Sequence, residues 1–179
     1  MTIYLIRHGK TVANEKRLYC GSSDLPLSEN GRKELQTLTY KLPAVRYVTS
    51  GMTRANQTLR ILFGEVPFET DSRFREVDFG DFEMHSYEEL KDCPVYQWWI
   101  SGSNESNVPP NGESGQQMKK RVLEAFEEIR EDTAIITHGG VIAAIMQYLF
   151  PEEKKTRYDW QPPNGCGYVI IGNTYKEIP

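Results

Sequence analysis

Two arginines, two histidines and a glutamate are the side chains in this sequence best suited to chemistry. Arg7 and His8 stand together in "LIRHGKT", directly after an apolar run that begins at Ile3. His138 follows a second apolar run, Ala134–Thr137, and precedes Gly139 and Gly140. Arg54 lies in "TSGMTRANQT" and Glu76 in "FREVDFGDFEM". Guanidinium forks match the oxygens of a small, multiply charged anion such as phosphate. A glycine after each histidine lets backbone N–H groups approach the same oxygens. A neutral imidazole beside such positive charge has its protonated form disfavoured, so it stays available as a nucleophile. Attack on phosphorus would pass through a loose, metaphosphate-like transition state with its charge on equatorial oxygens, where Arg7, Arg54 and His138 could stabilise it. Glu76 is the candidate to protonate the leaving alkoxide and then to activate water against a phosphohistidine.

The elements that would position these groups follow from periodicity. Ile3–Ile6 reads as a short strand buried on both faces. A loop runs through Gly21, Ser22, Ser23 and Asp24 to Pro26. Ser28 is an N-cap, and Leu35, Leu38 and Leu42 follow at helical spacing until Pro43. Val45–Thr49 is a second strand, and Thr53–Phe63 a helix with Gly64 as its C-cap. Val66-Pro67-Phe68 suggests a short edge strand. Glu113–Arg130 carries Met118, Val122, Ala125, Phe126 and Ile129 on one face of a long helix. Ala134–Thr137 is the clearest buried strand, Val141–Leu149 an apolar helix stopped by Pro151, and Tyr168–Ile171 a last strand. Strands alternating with helices predict an α/β domain over residues 1–179, with a parallel sheet covered on both faces. Ligands of such sheets bind beyond the carboxyl ends of the strands, where both histidines fall.

The chain has 179 residues, 39% of them apolar and 26% charged, with a formal net charge of −4. That acidity argues against nucleic acid or a membrane surface as partner, since both require a basic face. No run approaches a membrane span, and Met1-Thr2-Ile3-Tyr4 does not begin like a signal peptide. Cys20, Cys93 and Cys166 are widely spaced and odd in number, which suits a reducing cytoplasm better than a disulfide frame or a zinc site. A homodimer is left open.

Five blocks taken in order, "LIRHGKT", "TSGMTRANQT", "REVDFGDFE", "NGES" and "ITHGGVI", resemble the histidine phosphatase (phosphoglycerate mutase-like) superfamily across residues 1–149. The resemblance implies a three-layer α/β/α sandwich with a mostly parallel sheet and no metal or other cofactor. It makes His8 the phosphorylated nucleophile, Glu76 the proton donor, and Arg7, Asn14, Gly21, Arg54, His138 and Gly139 the groups around the phosphate. "LYCGSSDLPLSENG", "FGDFEM" and "PPNGES" look most like the α-ribazole phosphatases of cobalamin assembly, which implies α-ribazole 5′-phosphate, a small phosphorylated metabolite, as substrate. The alternatives are a broad-specificity phosphatase of small phosphomonoesters or sugar phosphates, a phosphoglycerate mutase-type transferase, and a non-catalytic phospho-ligand binding module. Mutases are usually longer, with a lid this chain has little length to form. Lys10 departs from the usual acidic residue of the signature and is expected to tune activity.

Taken singly, each residue has a plainer reading. A strand-end histidine more often holds a turn, a lone arginine makes a surface ion pair, and Asp78, Asp81 or Glu83 could replace Glu76 as the acid. Residues 77–111 form a variable, aromatic-rich region expected to cover the substrate. Tyr96, Trp98 and Trp99 could stack on a base. Neighbouring tryptophans on a regular helix cannot both face one pocket, so packing of a short helix is the favoured reading. Cys20 reads as a small buried residue, and His85 as solvated.

Overall fold

In the computed structural model, which describes residues 1–43, 45–102 and 105–179, the sheet is built outward from two apolar strands. β1 (Thr2–Arg7) and β4 (Thr133–Thr137) pair in parallel. β4 is buried at every residue, as a strand covered on both faces must be. β2 (Arg46–Thr49) pairs parallel to the other edge of β4, and β3 (Glu69–Thr70) extends it. β5 (Gly167–Ile171) runs antiparallel to β1, and β6 (Thr174–Ile178) returns beside it. The six-stranded order is β3-β2-β4-β1-β5-β6, mostly parallel with an antiparallel edge.

Helices cover both faces, giving the three layers expected. On one side, α6 (Gly115–Glu127) and α7 (Gly139–Leu149) bury Met118, Val122, Ile142 and Ile145 against Ile3, Leu5 and Ile135. On the other, α3 (Thr53–Phe63) sets Ala55 and Leu59 against Ala134 and Ile136, and α2 (Glu29–Thr37) packs beside it. The ends of these helices follow local chemistry. Ser114 and Gln117 form a reciprocal capping box on α6. Gly64 ends α3 at φ 76°, a backbone that strains any side chain. Among the described residues no helix is long and apolar enough to cross a membrane.

Several expectations shift. α2 stops at Thr37 rather than reaching Leu42, because Leu38 is extended and Tyr40 turns to pack on Phe63 and donate to the Gly165 carbonyl at 2.6 Å. Leu42 still reaches the apolar cluster under α3. The edge strand is Glu69–Thr70, while Val66 and Phe68 pack inward beside it. Among the elements outside the periodicity reading are β6 and the short α1 (Val12–Glu15), capped by Thr11.

The region 77–111, of which residues 103 and 104 lie outside the described set, forms two short helices, α4 (Tyr87–Leu90) and α5 (Pro94–Ile100). They close a satellite cluster of Phe82, Leu90, Tyr96 and Trp99 with Tyr19 and Phe79 at its edge. Tyr96 and Trp99 are buried while Trp98 is 54% exposed, so packing does separate the adjacent tryptophans.

Candidate active site

The register of the two central strands makes the histidines neighbours. Arg7 lies opposite Thr137, so the next residues, His8 and His138, leave the sheet side by side with ring centroids 5.1 Å apart. The His8 amide donates to the Thr137 carbonyl at 2.9 Å, carrying the ladder one step past the strand end. Arg54 enters from the first turn of α3, beyond the end of β2, and is 1% exposed. Glu76 comes from the turn after β3 and reaches the N-terminus of α7, where the Gly140 amide donates to its Oε2 at 2.9 Å and the Val77 amide to its Oε1 at 3.0 Å.

His8 is fixed in one tautomer. Its Nδ1 lies 2.6 Å from the Gly9 carbonyl oxygen, which can only accept, so Nδ1 carries the proton and Nε2 keeps its lone pair. Burial holds this imidazole well below its ordinary pKa, and Arg54 and then Arg7 press it further down, against the Gly9 carbonyl, which pulls it up. Behind it, Thr58 Oγ1 accepts from the Gly9 amide at 2.9 Å and donates to the Arg54 carbonyl at 2.7 Å. His138 is likewise held well below its usual range by burial, then by His8, Arg54 and Arg7. Its Nε2 lies 2.8 Å from Ser50 Oγ.

The arginines have no carboxylate partner within ion-pair distance among the described residues. Arg7 Nη1 donates to the Pro162 carbonyl at 2.8 Å, and Arg54 donates to the carbonyls of Ser23 and Gly21, both at 2.8 Å. That leaves buried Arg7 Nε, Arg54 Nε and His138 Nδ1 without a hydrogen bond. Uncompensated buried charge and unsatisfied polar groups are costly and rare. A tetrahedral oxyanion held between these residues would answer both.

Asn14 uses Oδ1 to cap α1 by accepting from Thr11, and lines the adjoining cavity. Gly139 is at the first position of α7, where a Cβ would lie 2.8 Å from Gln161 Oε1 and 3.2 Å from Arg7 Cζ, so a side chain there would displace the Gln161 amide. Gly21 departs from expectation. Its amide is not free for an anion but donates to both oxygens of Glu83, at 3.0 and 3.1 Å. A Cβ there would lie 1.6 Å from the Val77 carbonyl oxygen, so close chain approach is what demands glycine. The loop carbonyls, not its first amide, serve the site by holding Arg54.

The rival acids are occupied elsewhere. Glu83 also accepts from the amides of Ser22, Ser23 and Phe79. Asp78 accepts from Ser22 Oγ and the Gly80 amide, and Asp81 from Asn111. Lys10 turns away to Glu34, at 2.8 Å on the surface of α2. Cys20 is half-buried at the cavity wall, its thiol pushed up by burial. His85 is exposed, with Nδ1 2.9 Å from the Glu83 carbonyl. Among the described residues, no three His, Cys, Asp or Glu are grouped to hold a metal ion.

Above Arg7, Glu76 and Gly140 opens a cavity of about 330 Å³. Tyr19, Phe79, Trp99 and Tyr158 supply aromatic wall, and Glu105, Lys119 and Arg157 supply charge. The sequence reading misses Ser50, Thr58, Gly140 and the whole contribution of residues 157–164. Thr58 alone leaves a usable signal, being four residues after Arg54 and so on the same helical face.

The chain matches the histidine phosphatase superfamily (branch 1) over residues 3–177. It is 31% identical over 183 residues to an adenosylcobalamin/alpha-ribazole phosphatase of Salmonella typhimurium, a similarity covering 95% of this chain and 90% of that protein. An Escherichia coli K-12 crystal structure, provisionally described as an alpha-ribazole-5′-P phosphatase, superposes with a TM-score of 0.85 at 26% identity, covering 99% and 94% of the two chains. A phosphoglycerate mutase from Thermus thermophilus superposes with a TM-score of 0.77 at 27% identity, covering 96% and 94%. With the match running from β1 through β6, the chain belongs to the histidine phosphatase superfamily, branch 1.

Proposed function

We propose that this protein is a phosphomonoesterase that works through a phosphohistidine at His8, with α-ribazole 5′-phosphate as its preferred substrate. The observation that carries the reading is the 2.6 Å contact of His8 Nδ1 with the Gly9 carbonyl, which leaves Nε2 as a free lone pair beside two unpaired arginines. Nε2 attacks phosphorus, the P–O ester bond breaks, and the leaving alkoxide takes a proton from Glu76. Both Glu76 oxygens already accept one amide and each keeps a second lone-pair direction for that proton. A water then gives its proton to Glu76 and attacks phosphorus, the P–N bond breaks, and free phosphate leaves. Arg7, Arg54 and His138 stabilise the equatorial charge in both steps. No metal is assigned a step.

The substrate choice is supported by the aromatic wall of Tyr19, Phe79 and Trp99 on the cavity that Arg7 and Glu76 border, and by the similarity to a named alpha-ribazole phosphatase. A generalist phosphatase is the second reading, favoured by the charged Glu105, Lys119 and Arg157 on the same cavity. We further place the enzyme in the cytoplasm, acting on a small metabolite. The test is phosphate release from α-ribazole 5′-phosphate, p-nitrophenyl phosphate and 3-phosphoglycerate in EDTA, with His8→Ala as control. The expected result is a preference for α-ribazole 5′-phosphate of about a hundredfold in kcat/KM, roughly 2.7 kcal/mol of transition-state discrimination. Equal turnover of all esters selects the generalist. Isomerised 3-phosphoglycerate with little free phosphate selects a mutase, and phosphate binding without turnover selects a binding module.

A further inference from the structure

Between the phosphoryl pocket and the aromatic cavity stands a side chain that the two-step scheme does not use. Gln161 lines the cavity together with Arg7, Glu76 and Gly140. Its Oε1 lies 2.8 Å from where a Cβ on Gly139 would be, and Arg7 Cζ is the next atom at that point. A glutamine amide can donate two hydrogen bonds and accept two. Among the described residues this one makes none, although the Gln161 backbone amide donates to the Tyr158 carbonyl at 3.3 Å.

The mounting of that amide is unusually firm for a loop. Trp160, on one side, is 1% exposed and belongs to the main core. Pro162, on the other, has a ring-fixed φ and gives its carbonyl to Arg7 Nη1 at 2.8 Å. Two residues on, Asn164 Nδ2 donates to the His8 carbonyl at 2.9 Å, and the Gly165 amide donates to the Arg7 carbonyl at 3.0 Å. The segment is therefore clamped to Arg7 and His8 themselves. A group held in this way loses little further freedom when it binds, which is what a recognition residue requires.

We propose that Gln161 is a specificity-determining residue that hydrogen-bonds a hydroxyl on the carbon skeleton next to the phosphoryl group. It selects sugar and polyol phosphates over esters that lack a hydroxyl there. This rests on the phosphomonoesterase reading above. The phosphoryl oxygens are already served by Arg7, Arg54 and His138, whose buried Nε and Nδ1 atoms make no hydrogen bond. Gln161 borders the cavity, which His8, Arg54 and His138 do not. An amide that both donates and accepts matches a hydroxyl, which does the same.

The experiment compares native protein with Gln161→Leu and Gln161→Met on three esters. Ribose 5-phosphate has ring hydroxyls, tetrahydrofurfuryl phosphate has the same ring skeleton without them, and p-nitrophenyl phosphate has none. The variants should lower kcat/KM for ribose 5-phosphate about tenfold and leave the other two within about twofold, as expected for one lost neutral hydrogen bond. The native protein itself should prefer ribose 5-phosphate to tetrahydrofurfuryl phosphate by about the same factor, a comparison that needs no variant to fold. A parallel loss on all three esters, or no loss on any, overturns the assignment. If native protein turns over p-nitrophenyl phosphate but shows no ribose preference, only the role of Gln161 falls. If it turns over none of the three and not α-ribazole 5′-phosphate either, the phosphatase reading falls and takes this one with it, whereas turnover of α-ribazole 5′-phosphate alone overturns Gln161 as a selector of sugar and polyol phosphates.

Discussion

Acidification should destabilise this protein through its active site. His8 is 6% exposed and His138 is fully buried, and burial together with Arg54 and Arg7 holds both well below the ordinary histidine value of 6.5. In the unfolded chain each imidazole takes up a proton as pH falls through 6.5, while in the folded chain neither does. The unfolded state then binds more protons, so stability rises with pH across this window and is lost on going down. Between pH 7.5 and 5.5 each histidine that stays neutral when folded contributes a factor of about ten to that loss, or about 3 kcal/mol for the pair. The figure depends only on the unfolded value and on the imidazoles staying neutral when folded. Carboxylates held low in the folded state, such as Asp71 against Arg73 and Asp159 under Thr156, add their losses at lower pH, through and below their usual range. The assay is urea unfolding at the two pH values. His8→Gln and His138→Gln should each remove about half of the pH-dependent difference, whatever they do to absolute stability. If the native protein loses under about 1 kcal/mol, or either variant loses as much as the native protein, then the imidazoles accept protons in the folded state. The claim that His8 is a pre-neutralised nucleophile would fail with it.

Other substitutions test single contacts. Gly140→Ala would put a Cβ 2.4 Å from Glu76 Oε1, displacing the acid. Phosphate release should fall about 10²–10⁴-fold with the helix intact by circular dichroism, and release unchanged within threefold would remove Glu76 from the scheme. Thr58→Val strands the buried Gly9 amide, so unfolding free energy should drop by about 1–3 kcal/mol along with kcat, and Thr58→Ser should recover most of both. Trp99→Ala should cost about 3–5 kcal/mol in chemical unfolding, because the ring fills the satellite cluster beside Phe82 and Tyr96; a change confined to KM would assign it to substrate instead. Lys10→Glu should leave kcat/KM within about twofold, since Lys10 pairs with Glu34 in solvent, where ion pairs contribute little.

What is legible in the sequence divides along physical lines. β1 and β4 declare themselves because a strand buried on both faces must be continuously apolar, and α3 because Gly64 needs its positive φ. β6 does not, since Thr174–Ile178 is a half-exposed edge whose polar residues imitate a loop. The spacing overextends α2 because Leu38 and Leu42 keep helical positions while serving an extended chain, and the tie from Tyr40 to Gly165 that ends the helix spans 125 positions. Residue types at the site are readable, since phosphate chemistry restricts them. The hydrogen bonds that set their states are not, because Gly9, Pro162 and Gly165 act through backbone groups that every residue carries. Gly21 shows the converse error, in which a glycine reads as an anion contact although its lack of a side chain answers a 1.6 Å steric conflict with Val77.

The apolar pattern of the strands nevertheless reaches into the chemistry. Arg7 is paired with Thr137 only because Leu5 and Ile135 share one face of the sheet while Tyr4 and Ala134 share the other. A slip of one residue would send every side chain of β1 to the opposite face. It would also move His8 off the end of the ladder and away from His138, and would break the contacts of Arg7 with Pro162 and of His8 with Asn164. Burial of Leu5 and Ile135 therefore enforces the 5.1 Å spacing of the two imidazoles. Loosening that core should impair turnover before it abolishes the fold. Ile135→Ala, which leaves a cavity two residues before Thr137, is the substitution in which that order of losses should be visible.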